Sequence, residues 1–185
     1  MRMPKNINDW ETTEDWENIW VTGRRYTNIF NEGVAQANRG NAKEFVRILS
    51  SLADVEKPHE DNLMALPEDP NDKVVANAQL HLANFYLFGH KQTETGKIIK
   101  TKKDTKKALH YMTLSAKNGN MGAQQNLGTM YEEGLAPDGK PIPEISVDRK
   151  TALKWFHSAA KQGSELAAED GKNLYKKMKI EGALA

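Results

Sequence analysis

Apolar and small side chains recur at helical spacing through much of this chain. Between Asp104 and Tyr131 they fall at the i, i+3, i+4, i+7 and i+8 positions of two successive segments, which indicates two helices with one buried face each. Asp104 is a candidate N-cap for the first helix, and Gly119 is a candidate C-cap between the two. The pattern predicts a helix, a tight glycine turn and a second helix.

The pattern recurs at a nearly fixed offset. Its first half returns 44 residues later, at 148–163, and its second half is present 45 residues earlier, at 78–89. A fixed period of this size indicates stacked helix pairs in which each pair covers its neighbour. The predicted fold class is all-α, a right-handed α-solenoid of antiparallel helix pairs.

The pattern divides the chain into three segments. Residues 1–54 are predicted to be an N-terminal helical cap or a degenerate repeat, with a short helix at about 13–20, a helix at about 24–38 and a second apolar stripe after Asn41. Residues 55–72 form an acidic linker whose prolines preclude a long helix. Residues 73–185 form the repeat array, which ends in a capping helix at about 164–179.

Two sequence phrases carry the repeat. The first is Ala-x-x-x-Leu-Gly-x-x-Tyr-x-x-Gly, which residues 123–134 match at every position. The second is Asp-x-x-Lys-Ala-x-x-aromatic-aromatic-x-x-Ala-Ala-x-x-Gly. Residues 148–163 match it with Thr151 for lysine, and residues 104–119 match it with Met112 for the second aromatic residue and Ser115 for alanine. Together they resemble the Sel1-like repeat family, a branch of the tetratricopeptide superfamily, over about residues 76–175.

The resemblance implies the solenoid fold and a binding role. Members of the family are scaffolds, adaptors and regulators that bind other proteins, and some bacterial members are secreted effectors or immunity proteins for toxins. Tetratricopeptide units repeat at about 34 residues, whereas the spacing here is 44 to 45. The excess lies in two connections, a lysine-rich one at 90–103 and a proline-rich one at 135–147, and these are expected to be loops on one edge of the array.

The amino-acid composition of the chain limits the kinds of partner and the cellular compartment that we expect. The net charge of +1 selects neither nucleic acid nor membrane, and the absence of cysteine removes disulfides and thiolate metal sites. No apolar run approaches the roughly 20 residues that span a bilayer, and the N-terminus shows no apolar signal core. We therefore expect a cytoplasmic protein whose partner is another protein, with no nucleic acid and no membrane.

Four constellations could carry chemistry, and each favours a structural interpretation. The stretch 134–140 resembles the start of a phosphate-binding loop, but a proline follows where Ser or Thr is needed. Ser158 and Lys161 have Ser-x-x-Lys spacing without the accompanying motifs of a serine acyl-enzyme. The five histidines lack metal-ligand spacing. The six lysines of 97–107 lack the arginines and aromatic residues of a nucleic-acid site, and a solvated loop is favoured for them, with a site for an acidic protein partner as the alternative. No catalytic residue, cofactor or metal is predicted; a Ser158/Lys161 hydrolase is the alternative of another class.

The predicted partner-binding surface follows the first helix of each pair, by analogy with tetratricopeptide arrays. Positions beside the packing stripe of these helices are Leu80, Asn84, Leu87, Phe88, Gln125, Thr129, Glu132, Glu133, Asn173, Lys176 and Lys177. The surface would run from apolar to acidic to basic. Burial of Leu80, Leu87 and Phe88 against the N-terminal helices is the alternative for the apolar part.

The N-terminal tryptophans offer a second candidate surface. Trp10, Trp16 and Trp20 either fold back on the first helix pair or form a knob that binds a partner. The predicted function is a non-catalytic module that binds and occludes a partner protein, most specifically a bacterial toxin-neutralising immunity protein. A chain of this size that works by binding alone fits an inhibitor; a general adaptor, a scaffold and a secreted effector are alternatives.

Overall fold

The structure of the protein, a computed structural model, describes residues 13–54, 70–136 and 138–182. Its helices are α1 (Thr13–Arg39), α2 (Ala42–Ala53), α3 (Pro70–Phe88), α4 (Thr105–Lys117), α5 (Met121–Glu133), α6 (Arg149–Lys161) and α7 (Glu165–Ile180). Strands β1 (His90–Gln92) and β2 (Ile98–Lys100) lie between α3 and α4. Each helix packs on the next along the chain, and α1 also contacts α3. The all-α solenoid of helix pairs is confirmed.

Two predicted helix boundaries differ from the structure. The two helices predicted at 13–20 and 24–38 are one continuous helix, because Gly23 alone costs a helix only about 1 kcal/mol and no proline stands near it. Helix α3 begins at Pro70 rather than at Lys73. Proline suits the first helical position because it has no amide hydrogen, and an amide hydrogen there would have no hydrogen-bond partner within the helix.

The lysine-rich connection is a β-hairpin rather than a solvated loop. Strand β1 pairs antiparallel with β2, with His90 opposite Lys100. Ile99 of β2 is only 2% exposed and belongs to the main core. The hairpin therefore packs on the helices and positions the side chains of β1 beside α3.

The proline-rich connection has the same organisation in shorter form. Leu135 and Pro141 form an antiparallel bridge, and the Ala136 amide donates to the Lys140 carbonyl at 2.8 Å. Ile142 is buried beneath this turn. Both connections are thus folded parts of their repeats.

A backbone hydrogen bond closes the base of each connection. The Asp104 amide donates to the Tyr86 carbonyl at 3.0 Å, and the Asp148 amide donates to the Tyr131 carbonyl at 2.8 Å. Each of these aspartate side chains then caps the following helix by accepting from the backbone amide three residues further on. The end of one helix in a pair is thereby fixed directly to the start of the other.

Buried amide side chains join successive pairs. Gln124 is 2% exposed, and its Nε2 donates to the Ala116 carbonyl at the end of α4 at 3.0 Å. Gln162 Nε2 in turn donates to Gln124 Oε1 at 2.7 Å. Because the side chain uses both its donor and its acceptor, the buried polar group is satisfied within the core.

The same relay occurs one repeat earlier. Gln79 Nε2 donates to the Ala53 carbonyl at 3.0 Å, and Asn118 Nδ2 donates to Gln79 Oε1 at 2.8 Å. Ala53 of α2 thus occupies the place that the end of α4 has in the next unit. The match favours the degenerate-repeat interpretation of 1–54, which stays a prediction.

Candidate functional site: the first-helix row and a hollow beside it

Helices α1, α3, α5 and α7, the first helices of successive pairs, form a row that we call the first-helix row. Phe30 of α1 meets His81 of α3 edge-on, with ring centroids 5.4 Å apart. Leu80 of α3 lies 4.0 Å from the position that a Cβ on Gly122 of α5 would take. Glu132 of α5 is close enough to α7 for the charge of Lys177 to act on it. Each helix of the row therefore lies near the next one.

The predicted partner-binding residues differ in how accessible they are. Four are exposed and lie on the last two helices of the row: Glu133, Asn173, Lys176 and Lys177. Six are partly exposed: Leu80, Asn84, Phe88, Gln125, Thr129 and Glu132. Leu87 is the exception, because it is buried in the core.

Leu87 has to be removed from the candidate surface. Its side chain is 5% exposed and belongs to the main core cluster. Helix α3 contacts α1, α2, α4 and the hairpin, so apolar residues are buried around most of its circumference. The apolar pattern of a sequence indicates only one buried face of a helix. Leu87 lies beside that face, so the sequence predicts that it is exposed.

Acidic and basic side chains meet between α5 and α7. Burial, and then the neighbouring Glu133 carboxylate, raise the pKa of Glu132; of the α7 residues, Lys177 lowers this pKa and Asp170 raises it. Lys176 and Lys177 are exposed in the last turns of α7. The α5–α7 part of the surface thus offers carboxylates next to ammonium groups.

A hollow of about 380 Å³ opens between α3 and the hairpin. Its lining includes Asn84 and Phe88, two of the predicted binding residues, and adds side chains that were not predicted. The complete lining is His81, Asn84, Phe85, Phe88, His90, Lys91, Gln92 and Ile98. The hollow is therefore an extension of the first-helix row onto the hairpin.

Two basic side chains meet in the hollow. Lys91 Nζ donates to His81 Nδ1 across 3.3 Å. Burial, and then the Lys91 charge, lower the pKa of His81 to about 4, so this ring is neutral at pH 7. Burial also lowers the pKa of Lys91, which the more distant Glu94 carboxylate partly offsets. This pair could not be predicted from the sequence, because only the hairpin brings the two residues together.

The His81 environment predicts a pH dependence of stability. The ring binds a proton near pH 6.5 in the unfolded chain and near pH 4 in the folded one, so the unfolded state gains more protons as the pH falls between these values. We expect the free energy of unfolding to fall on going from pH 6.5 to 5 by an amount on the order of 1–2 kcal/mol from this group. Urea unfolding at both pH values measures it. The His81→Gln variant should show a smaller drop, and an equal drop in both proteins would contradict the prediction.

The remaining predicted constellations have structural roles. Ser158 is 6% exposed, and its hydroxyl donates to the Lys154 carbonyl of its own helix at 3.0 Å. In the stretch 134–140, Asp138 pairs with Lys103 at 3.3 Å and with Lys140 at 3.4 Å beside the turn at Gly139. Within the described part of the chain, no group of three or more His, Asp or Glu side chains is arranged to hold a metal ion.

Two predictions fall where the structure gives no side-chain description. Trp10 lies outside the described residues, and of Trp16 and Trp20 only the helical backbone of α1 is described. The acidic segment 55–69 also lies outside the described residues. The alternatives for the tryptophans and the linker assignment stay predictions.

Comparison with protein families locates the repeats. The sequence model of the Sel1 repeat matches residues 76–120 and 122–164. The chain contains two Sel1 repeats. The first Sel1 repeat comprises most of α3, the hairpin and α4, and the second comprises most of α5, the proline-rich connection and α6. Helix α7 follows the second Sel1 repeat and covers its outer side, where Gly171 approaches the Phe156 side chain.

The Sel1 repeats indicate the general role of the protein. They are protein–protein interaction modules and are generally non-catalytic. A search among curated proteins found no match to the chain. None of the helices in the described ranges combines the length and the apolar character needed to cross a membrane.

Proposed function

We propose that this protein is a non-catalytic module that binds and occludes a partner protein through the first-helix row, most specifically as an immunity protein that neutralises a toxin in the cytoplasm. The observation that carries the proposal is the row itself. Apolar, acidic and basic side chains lie on consecutive helices of this row, so it offers a partner protein both apolar contacts and charges that can set its orientation.

The apolar residues at the α3 end of the first-helix row favour a protein as the partner. Phe88 is partly exposed at the mouth of the hollow, and Ile98 of the hairpin is 58% exposed beside it. Apolar side chains in a concave site, ringed by polar groups, are typical of positions that a partner side chain fills. The charged residues of α5 and α7 would then set the orientation of the partner.

Reversing the charge of one exposed residue on the first-helix row tests partner binding separately from folding. We expect Lys176→Glu to weaken binding of the partner by about tenfold, because it replaces an attraction at the interface by a repulsion. Lys154→Glu is the matched control, because Lys154 is equally exposed but lies on α6, a second helix of its pair. Affinity capture with each variant as bait, followed by a binding isotherm for the captured protein, measures the difference. Equal loss in both variants would contradict the use of this face.

The immunity role has its own test. The protein should restore growth to cells that express the toxic product of a neighbouring gene, and Lys176→Glu should restore it less well than Lys154→Glu. Rescue requires only binding, so it does not depend on an enzymatic activity of the protein. Binding to a non-toxic neighbour or to many proteins would instead favour the adaptor or scaffold alternative, and recovery from the culture medium would favour a secreted effector.

Catalysis by Ser158 has no support from its surroundings. The hydroxyl lies among packed helices and is bonded to a helix carbonyl, while Lys161 is exposed on the next turn. Substitution of Ser158 by alanine should therefore leave partner binding unchanged.

A further inference from the structure

The hollow beside α3 contains a cation, Lys91, that forms no ion pair within 4.0 Å among the described residues, although the Glu94 carboxylate acts on it from further away. Lys91 is partly buried, and its ammonium group donates a hydrogen bond to a neutral imidazole rather than to a carboxylate. Among the described residues no ion pair within 4.0 Å is formed by Lys91, whereas Lys103 on the same connection pairs with Asp138. Burying an ammonium group without a counter-charge is unfavourable. Apart from the more distant Glu94, the described residues offer Lys91 no counter-charge.

The groups around Lys91 define what would complete the site. The His81 ring accepts from Lys91 through Nδ1, which leaves the proton of the neutral ring on Nε2 as a donor. Asn84 and Gln92 add amide groups to the lining, and Phe88 and Ile98 add apolar walls. This set offers several donors and one positive charge next to an apolar surface.

Size and long-range charge favour a side chain over a large ligand. The volume of about 380 Å³ lies near the lower end of ligand sites, which run from about 300 to 1,000 Å³. Six lysines and one acid in the stretch 97–107 add a positive field around the hairpin. A nucleic-acid site would typically include arginines, and the lining of the hollow contains none.

We infer that the hollow binds the carboxylate of an aspartate or glutamate of the partner protein, with an adjacent apolar residue of the partner against Phe88 and Ile98. The carboxylate accepts from Lys91 Nζ and completes the ion pair that the fold leaves open. The inference rests on the proposed function, since it specifies the chemistry of the partner at one end of the first-helix row. It assigns the hairpin a recognition role that the Sel1 match alone does not give.

Short peptides test the hollow without the natural partner. N-acetyl-Glu-Leu-amide is titrated into the full-length protein at pH 7, and the His81 ring resonances and the Lys91 side-chain resonances are followed by NMR. The matched probe is N-acetyl-Gln-Leu-amide, which has the same shape without the charge. We expect the glutamate peptide to bind at least about tenfold more tightly, because a charge-assisted hydrogen bond is lost with glutamine.

Two protein variants locate the effect. Lys91→Gln should reduce binding of the glutamate peptide to the level of the glutamine peptide, whereas Lys102→Gln, an exposed lysine beyond the hairpin, should leave it nearly unchanged. Thermal unfolding of both variants checks that each is folded. A bound carboxylate should also raise the pKa of His81, because it offsets the Lys91 charge that helps to lower this pKa.

Several results would overturn the inference. These are equal binding of the two peptides, no binding of either, equal loss in Lys91→Gln and Lys102→Gln, and displacement of the glutamate peptide by an equal concentration of inorganic phosphate, which would indicate a phosphate site. Failure of this inference can be distinguished from failure of the proposed function. If the peptides do not bind as expected but Lys176→Glu still weakens a protein complex, the inference about the hollow is wrong and the proposed binding role of the first-helix row stands. If the peptides bind as expected but no partner responds to Lys176→Glu, the binding role of the row is wrong.

Discussion

Replacement of Gly128 by alanine should destabilise the protein by about 2–3 kcal/mol, at the upper end of the range for overpacked cores. A Cβ at this position would lie 2.5 Å from both Cδ1 and Cε1 of Phe156. Phe156 is 1% exposed and packed in the core between α5, α6 and α7, so its ring has little room to move away. Urea unfolding followed by circular dichroism measures the change.

A matched glycine and a double variant make this prediction specific. Gly122 lies in the same helix, and a Cβ there meets nothing closer than 3.4 Å, so Gly122→Ala should be neutral or stabilising by up to about 1 kcal/mol. Phe156→Ala alone should cost about 3–5 kcal/mol. Adding Gly128→Ala to Phe156→Ala should cost little further, because the ring that it would strike is gone. A full additional loss in that background would show that the glycine is needed for another reason.

Truncation of Phe85 to alanine should destabilise the protein by about 3–5 kcal/mol, as much as Phe156→Ala. Phe85 is 1% exposed and meets Phe45 of α2 edge-on, with ring centroids 5.2 Å apart. It therefore fills the junction between the N-terminal helix pair and the first Sel1 repeat. The free energy of unfolding from urea denaturation gives the size of the loss.

The same experiment tests whether the N-terminal pair and the repeats unfold together. A contact of this kind between α2 and α3 predicts a single transition in the wild-type protein, as expected for a continuous stack. Leu166→Ala is the control, because Leu166 is 57% exposed on α7 and its truncation should change stability by less than about 0.5 kcal/mol. A Phe85→Ala loss below that of a surface residue, or a separate early transition of the N-terminal pair, would contradict the prediction.

The helices of the Sel1 repeats could be predicted closely because their signals are local. Asp104 and Asp148 were predicted as the helix starts, and each side chain accepts a hydrogen bond from the first turn in the structure. Gly119, predicted as a C-cap, follows α4 with φ of +81°, which glycine adopts without strain. Caps and apolar periodicity depend on residues within one or two turns, so a sequence shows them directly.

The hairpin could not be predicted because its stability is not local. Each strand has three residues, too few for an alternating pattern to be distinguished from chance. The strands exist because Ile99 packs into the core formed by the helices. The hollow was missed for the same reason, since Lys91 and His81 lie on different elements and meet through the fold of the hairpin.

The surface of the first-helix row was predicted in part. Lys176 and Lys177 lie at the polar end of the array, where one exposed face can be inferred from the helical phase. Leu87 lies on a helix with neighbours on several sides, and its burial depends on how α1 and the hairpin cover α3. The position of a residue around its helix indicates the direction in which its side chain points. Whether that direction leads to solvent depends on how many other elements pack on the helix.

The bonds from Asp104 to Tyr86 and from Asp148 to Tyr131 set the spacing of the helices at the base of each connection. The tips beyond these bonds also contact other elements. Thr95 Oγ1 donates to the Asn38 carbonyl at 3.1 Å and Lys97 Nζ donates to the Arg39 carbonyl at 3.4 Å, both at the end of α1, while Asp138 pairs with Lys103 of the other connection. Evolutionary change at the exposed turns near Gly96 and Gly139 is therefore limited by these few polar contacts rather than by the packing of the core.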